Sequence, residues 1–234
     1  MSVQNKSAAI AGVAPNAGEM AEPKRPRGRP RAYDKRQALQ QSLRAFWAGG
    51  YAGTSLDDLS AATGMNRPSL YAAFGDKRAL YLALVERYAQ GGQQAMRAAL
   101  APDVPLPEGL LAVFDTALDM YFPAGGPPQG CFLVGTGVAA AGTDDAVRAQ
   151  VGQAFKAFDH EFELRFQLAQ QRGELAPGAE PAMLARLASA LLHTLAMRSR
   201  VGDARAELRA TAQAGVALLC GTAPQPRVGK TARA

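Results

Sequence analysis

Apolar residues recur at steps of three and four from residue 33 onward, which is the spacing of one face of an amphipathic α-helix. The first group predicts a helix that Gly49-Gly50 stops; its apolar positions are Ala38, Leu39, Leu43, Phe46 and Trp47. A second, short helix is predicted to begin after Ser55, whose hydroxyl suits an N-cap, with Asp58 acting as the acidic partner three positions later. Gly64 ends this helix, because glycine adopts a positive φ without steric penalty.

A third helix is predicted after a short turn. Asn66 is its N-cap, and Pro68 lies in the first turn, where the missing N–H removes no hydrogen bond. Gly75 ends the third helix, and Asp76 caps a fourth, whose apolar positions are Leu80, Leu84 and Tyr88.

The remainder of the chain keeps the helical spacing, and segments rich in Pro and Gly separate its predicted helices. These helices are 108–122, 132–141, 144–171, 181–200 and 204–219. The sequence does not alternate apolar and polar residues over the length of a strand, and β-branched residues are scarce. It therefore predicts an all-α fold with about nine helices, in which a small N-terminal domain of three helices precedes a larger helical domain.

Composition excludes several classes of protein. The chain has 234 residues, of which 48% are hydrophobic and 20% charged, so it is long enough to bury a sizeable core. No apolar run approaches the roughly 18 residues that span a bilayer, and no membrane partner is expected. Two cysteines, Cys131 and Cys220, are too few for a disulfide framework and favour a reducing, cytoplasmic location.

The positive charge is concentrated near the N-terminus. Residues 1–78 hold 12 Lys and Arg against 6 Asp and Glu, which equals the whole net charge of +6. This distribution indicates a polyanionic partner at one end of the molecule. The predicted organisation is a disordered basic arm at 1–31, a small helical domain at 32–92, a larger helical domain at 93–222 and a flexible tail at 223–234.

The second and third predicted helices form a helix-turn-helix motif over residues 55–74. In such motifs the second helix enters the DNA major groove, and its N-terminal residues contact base edges. The side chains able to bond to bases or phosphates are those of Asn66, Arg67, Ser69 and Tyr71. Arg67 suits guanine O6 and N7, Pro68 suits a thymine methyl, and Lys77 and Arg78 suit phosphates. The alternative is an ordinary corner between two helices of a bundle.

Residues 32–92 resemble the DNA-binding domain of the TetR family of bacterial repressors. The resemblance rests on residues 50–84, which read GYAGTSLDDLSAATGMNRPSLYAAFGDKRALYLAL. The resemblance implies that seven residues face DNA: Thr54, Ser55, Arg67, Pro68, Ser69, Tyr71 and Lys77. Tyr71 and Lys77 are expected chiefly on phosphate. Ala72 and Ala73 depart from the polar residues common at these positions in the family, which leaves specificity to the start of the helix. The resemblance further implies a repressor that binds a palindromic operator as a homodimer and is released by a small molecule.

A basic segment, KRPRGRPR at residues 24–31, precedes the motif. Arg27 and Arg29 are interpreted either as a minor-groove reader similar to an AT-hook or as a generic arm on phosphates, and both alternatives stay open. Either one adds affinity for DNA.

The resemblance also implies a ligand pocket among the middle helices and a dimer interface made by the last two. The pocket candidates are Phe114, Leu118, Tyr121, Cys131, Phe132, Phe155, Phe158, Phe162 and His193. The dimer candidates are Leu184, Leu187, Leu191 and Leu195, with Leu208, Ala212, Val216 and Leu219. For both groups the alternative is that these residues only form the core of the monomer.

Cys131 has a distinct expectation, because it lies at a predicted helix start after a loop rich in Pro and Gly. A helix N-terminus lowers the pKa of a thiol, and in some relatives a cysteine in such a segment senses electrophiles. The alternative is an inert, buried thiol.

An enzyme is the rival class. Residues 135–140, GTGVAA, match the dinucleotide fingerprint G-x-G-x-x-A, which requires a preceding strand and an acidic residue about 20 positions later, near Asp159. His160 and His193 lack zinc-site spacing, and Glu161 and Glu163 project on different sides of a helix. No catalytic residue, cofactor or metal is therefore predicted. A ligand-independent architectural DNA-binding protein is a third possibility.

Overall fold

The computed structural model describes residues 34–221, and every regular element among them is helical. The nine α-helices of these residues are α1 (Lys35–Gly53), α2 (Leu56–Thr63), α3 (Arg67–Phe74), α4 (Lys77–Ala99), α5 (Leu106–Tyr121), α6 (Val138–Ala141), α7 (Asp145–Gln171), α8 (Pro181–Val201) and α9 (Arg205–Leu219). A π-helical turn, Leu133–Gly137, leads into α6. The predicted all-α fold is confirmed.

The first three helices begin and end close to the predicted residues. Ser55 and Asp58 form the predicted capping box of α2, and Gly64 closes that helix with φ 66°. Asn66 caps α3. In α1, Gly50 leaves the helical region at φ 72° and ψ 169°, but one further helical turn follows it. The predicted stop is therefore a break within α1.

The π-helical turn is the largest departure from the predicted helix 132–141. It lies against α7 and α8. Glycine at position 137 permits the close approach to α7, whereas opposite Gly135 the flexible end of Arg200 could move aside. A Cβ on Gly137 would meet Val151 Cγ2 at 2.8 Å, and one on Gly135 would meet Arg200 Nη1 at 2.8 Å. Single π-turns often mark functional sites, and this one contacts α1 as well.

The helix-turn-helix is joined to the larger helical body by buried aromatic residues and a few hydrogen bonds. The Trp47 ring of α1 lies 5.4 Å from Tyr88 and 5.7 Å from Phe132, each in an edge-on arrangement. Its indole N–H donates to the Gln129 carbonyl at 3.1 Å, and the buried hydroxyls of Tyr81 and Thr136 are 2.7 Å apart. The predicted domain boundary at residue 92 lies inside α4, so one helix belongs to both parts.

No helix within residues 34–221 is long and apolar enough to cross a membrane.

Candidate DNA-binding surface and ligand cavity

Side-chain caps fix the first turns of α2 and α3. Ser55 Oγ accepts a hydrogen bond from the Asp58 N–H at 3.1 Å, and Asp58 Oδ2 accepts one from the Ser55 N–H at 2.7 Å. The Ser55 hydroxyl also donates to Asp58 Oδ2 at 2.7 Å, and this bond, together with the one from the Ser55 N–H, lowers the pKa of the Asp58 carboxyl. Asn66 Oδ1 accepts from the Ser69 N–H at 2.9 Å in the same way. The backbone that carries the predicted reading residues is thus well ordered before any DNA is bound.

Most of the predicted DNA-facing side chains lie on the surface. Only Leu70 of α3 is fully buried, and it anchors the helix to the core. Ser55, Asn66, Arg67 and Pro68 are exposed, Ser69 is half-buried, and Tyr71 is 47% exposed. This exposure is what contact with DNA requires, and the individual contacts remain predictions.

Thr54 is the exception, since only 2% of its surface is exposed. Its hydroxyl donates to the Gly50 carbonyl at 2.7 Å and lies 3.3 Å from that of Ala45. The side chain therefore closes the end of α1, and the prediction that it faces DNA is wrong. A neighbouring glycine, Gly49, makes room for it, because a Cβ there would meet Thr54 Oγ1 at 2.8 Å.

Arg67 has a partner that the sequence analysis missed. Its Nε donates to Asp57 Oδ1 at 2.9 Å, and its Nη2 donates to Asp57 Oδ2 at 2.6 Å. Both side chains are exposed, by 54% and 73%, so water competes for this pair and it adds little to stability. The two-pronged geometry is the one a guanidinium uses on guanine. The sequence did contain a sign of this pair. The first turn of α2 holds two acids, and because Asp58 alone completes the cap, Asp57 is left for another partner.

Two basic residues after α3 differ in how freely they can reach a phosphate. Lys77 Nζ lies 4.7 Å from the centre of the Tyr51 ring, a contact that leaves the charge available. Arg78 instead donates from Nε and Nη2 to both carboxylate oxygens of Asp144, at 2.6 and 2.9 Å. Chiefly through this contact, the pKa of Asp144 falls to about 2. Arg78 thus ties α4 to the start of α7, and its predicted role on phosphate is not supported.

Arg27 and Arg29, the predicted reading residues of the basic arm, lie outside the described residues 34–221.

A small apolar cavity of about 60 Å³ lies between α4, α5, α7 and α8. Four of the nine predicted pocket residues line it: Tyr121, Cys131, Phe158 and His193. The lining residues that the sequence analysis missed are Tyr88, Gly92, Ala95, Met96, Val113, Thr116, Ala117, Met120 and Leu192. Four of these missed residues, Val113, Thr116, Ala117 and Met120, lie on one face of α5, beside the more strongly apolar face that drew the prediction.

The other predicted pocket residues do not line this cavity. Phe114, Leu118, Phe132 and Phe162 have no exposed surface and belong to the core of the monomer. Phe155 is half-buried, and its ring lies 4.5 Å from that of His193, which itself faces the cavity. For the four buried residues the structure favours the alternative that they only form the core of the monomer, because the largest apolar side chains fill the interior first. For Phe155 the pocket assignment stays a prediction.

His193 brings an unused polar atom to the cavity. Its Nε2 is buried and has no hydrogen-bond partner within the described part of the chain. Burial lowers the pKa of the imidazole, and the charge of Asp159 opposes this only in part. The ring is therefore mainly neutral at pH 7 and offers one donor or acceptor to a bound molecule.

Cys131 does not have the reactive environment expected of it. Burial raises the pKa of its thiol, and this outweighs its hydrogen bonds, including the one that the Tyr88 hydroxyl donates to Sγ at 3.4 Å. The prediction of a lowered pKa is wrong, because desolvation of the thiolate exceeds the effect of the helix start. The structure favours the alternative, a buried and unreactive thiol.

Both thiols are expected to react slowly with iodoacetamide at about pH 7.5 in the folded protein, because thiolate is the reacting form. Burial raises the pKa of Cys220 as well, to about 11. Mass spectrometry of timed samples measures the rates, and the same protein in denaturant, where both thiols are solvated, is the control. Rapid labelling of Cys131 in the folded protein would contradict its assignment as unreactive.

The predicted dimer residues divide into buried and accessible groups. Leu195, Leu208, Ala212, Val216 and Leu219 are buried in the monomer, and for them the prediction is wrong. The apolar face that their spacing defines is the one by which α8 and α9 pack on each other and on α5. Leu184 and Leu191 are half-buried against the same core. Leu187 alone is largely accessible, with 52% of its surface exposed.

An exposed apolar surface nevertheless lies on the outer side of α8 and α9. Its members are Met183 and Leu187 of α8, each 52% exposed, and Leu218 of α9, which is 71% exposed. Gly215 lies directly against Leu191, since a Cβ there would meet Leu191 Cδ2 at 2.3 Å. α8 and α9 are joined by a short turn and run antiparallel. A residue one helical turn after Gly215 on α9 is therefore level with a residue one helical turn before Leu191 on α8. Leu218 and Leu187 therefore lie close together.

Residues 135–140 do not form a dinucleotide site. They lie in the π-helical turn and α6, and residues 131–134 before them contain no strand. The strand and glycine turn that would hold a pyrophosphate are missing at this position. Within residues 34–221 there is also no group of three or more His, Cys, Asp or Glu able to hold a metal.

Two family models match the chain. Residues 38–84 match the bacterial regulatory proteins of the tetR family, and residues 107–214 match the tetracyclin repressor-like C-terminal domain. The first match contains the helix-turn-helix, and the second contains nearly all of α5, the whole of α6, α7 and α8, and most of α9.

Known regulators of the same family are similar to this chain over most of its length. The transcriptional repressor ComR of Escherichia coli K12 is 30% identical over 180 residues, which are 76% of this chain and 85% of that protein. A cysteine mutant of the TetR-family regulator CifR, solved with 26-bp operator DNA, is 28% identical with a TM-score of 0.72, covering 80% of this chain and 98% of that one. A TetR-family regulator from Cytophaga hutchinsonii has a TM-score of 0.69 at 26% identity, covering 82% and 96%. Sequence, fold and exposed helix-turn-helix together show that this chain belongs to the TetR family of bacterial transcriptional regulators.

Proposed function

We propose that the protein is a cytoplasmic repressor that binds a palindromic operator as a homodimer and leaves it when a small molecule binds. The observation that supports the proposal is the way in which α3 is held, with one side anchored and its polar start exposed. Leu70 anchors it to the core, while the polar residues of its first turn are exposed and its N-terminus is capped. A rigid helix with an exposed polar start is what insertion into the major groove requires.

Each surface residue has a proposed part in DNA binding. Arg67 exchanges Asp57 for a guanine, and Pro68 and Ser69 contact neighbouring bases. Ser55, Tyr71 and Lys77 contact phosphates, which fix the position of α3 without reading sequence. Asn66 serves chiefly as the cap. The protein acts by binding and not by catalysis.

The apolar cavity favours a ligand-responsive regulator over an architectural DNA-binding protein. It adjoins α4, the helix that begins directly after the reading helix and extends through residue 99. A molecule held there can shift the position of α3 by as much as its affinity differs between the two states of the protein.

The proposal is tested by selecting fragments of genomic DNA that the full chain binds and determining their shared sequence. The expected result is one inverted repeat, protected as two half-sites about one helical turn apart by a protein dimer. A screen of small molecules for release of that DNA follows. Recovery of fragments without a shared sequence would contradict the proposal, and an operator that no compound releases would support an architectural protein instead.

A further inference from the structure

A groove of about 600 Å³ runs between the start of α1, the middle of α4 and the end of α5. It adjoins the small apolar cavity, and five residues line both spaces: Tyr88, Gly92, Ala95, Thr116 and Met120. Met120 is 37% exposed, and methionine changes its rotamer readily. The cavity and the groove therefore form two ends of one site.

The two ends differ in charge. None of the residues that line the cavity is an Asp, Glu, Lys or Arg. The groove, in contrast, is lined by Arg36 and Arg87, and neither forms an ion pair with the described residues. Asp34 is the one acid in its lining, and its Oδ1 already accepts a hydrogen bond from the Arg36 N–H at 2.8 Å. The groove thus carries a net positive charge beside an uncharged cavity.

We propose that this site binds a small amphiphilic anion, with its apolar end in the cavity and its anionic group in the groove between Arg36 and Arg87. The inference rests on the proposed function, because it specifies the chemistry of the effector. A charged group in the cavity would lose its hydration without a partner of opposite charge. In the groove, guanidinium groups pair well with carboxylate, sulfate or phosphate oxygens.

The dimensions of the site fit this orientation. The cavity, at about 60 Å³, takes only the tip of an apolar chain. The next part of the chain lies along the groove, where Leu39, Leu43 and Leu84 provide apolar surface. A linear molecule is therefore preferred to a wide, rigid one. His193 Nε2 at the cavity end offers a partner to a second polar group, if the ligand carries one.

The location of the site explains how such a ligand would act on DNA binding. Arg36 lies on α1, within the helix-turn-helix domain, whereas Val113 and Leu192 at the cavity end lie on α5 and α8. A bound anion would therefore connect α1 to the helical body. Because it binds best to one relative position of these parts, it shifts the reading helices toward that position.

The test uses the full chain and three compounds with the same alkyl chain: octanoate, octanol and octylamine. Trp47 is the only tryptophan of the sequence, and its ring lies 5.4 Å from that of Tyr88, which lines both ends of the site. Its fluorescence measures binding without any DNA. Octanoate is expected to bind about tenfold more tightly than octanol, and octylamine more weakly than either.

Matched variants locate each part of the ligand. Arg87→Gln and Arg36→Gln are each expected to lower octanoate affinity about tenfold and to leave octanol affinity unchanged. Arg186→Gln, at an exposed arginine of α8 outside the groove, is the control and should change neither. Ala95 is exposed and lines both ends, so Ala95→Leu should weaken all three compounds without disturbing the core.

Octanol or octylamine binding as tightly as octanoate would overturn the proposal, as would equal octanoate affinity in Arg87→Gln and Arg186→Gln. Tighter binding of all three compounds after deletion of residues 1–31 would identify the chain's own N-terminal segment as the occupant and also overturn it. These results leave the proposed function intact if the genomic selection still yields a palindrome. If the genomic selection fails but octanoate binds as expected, the proposed repressor function is rejected and the proposed anion site is retained.

Discussion

Arg67→Ala is expected to weaken operator binding by about tenfold to a hundredfold for each half-site and to abolish the preference for one base. A bidentate guanidinium–guanine contact accounts for losses of this size. In a dimer the loss of binding free energy is doubled, since both protomers lose the same contact. Binding of the variant to the selected operator, to operators changed at single positions and to scrambled DNA measures both affinity and base preference.

Two control variants separate base reading from general attraction to DNA. Lys77→Ala is expected to weaken cognate and scrambled DNA alike and to flatten the dependence of affinity on salt, because a phosphate contact releases counterions at any sequence. Asp57→Asn removes the carboxylate that holds Arg67 in the free protein. It should increase affinity for the operator more than for scrambled DNA, because only at the operator must Arg67 leave Asp57 for a guanine. Equal losses of Arg67→Ala on cognate and scrambled DNA would rule out its base-reading role.

The start of each DNA-binding helix was predictable because its signals are local. The Ser55–Asp58 box, the Asn66 cap and the positive φ of Gly64 depend on residues within a few positions of one another. Such interactions form in much the same way whatever surrounds them. Thr54 failed for the complementary reason. Its hydroxyl donates to the carbonyl of Gly50, four positions earlier, and that contact depends on the break in α1 at Gly50, which the sequence analysis took for the end of the helix.

The ligand cavity was less predictable, because periodicity identifies the apolar face of a helix but not the neighbours that cover it. On α5 the strongest apolar residues, Phe114 and Leu118, fill the core, and the adjacent Val113 and Ala117 line the cavity. Cys131 shows the same limit in electrostatic terms. Its helix position was visible in the sequence, whereas the burial that raises the pKa of its thiol depends on the whole fold.

Leu187→Asp is expected to convert the dimer to a monomer and to lower operator affinity by more than about a hundredfold, since a monomer holds one half-site only. Met183 and Leu187 of α8 and Leu218 of α9 are exposed apolar side chains that a partner protomer could cover. A carboxylate buried among them, facing its copy across a two-fold axis, would be desolvated and repelled. In the monomer the introduced carboxylate is hydrated, because position 187 is 52% exposed there. The variant is therefore expected to fold.

Light scattering at micromolar concentrations measures the mass, and thermal unfolding checks that the variant is folded. Leu164→Asp is the matched control, because Leu164 is an apolar residue of α7 that is 47% exposed and lies outside this surface. It should remain a dimer with unchanged operator affinity. The five predicted residues buried within the monomer cannot serve this test, since a charge at Leu195 or Leu208 would disrupt the core before any interface. A Leu187→Asp protein that is still dimeric would show that the two protomers meet through a different surface.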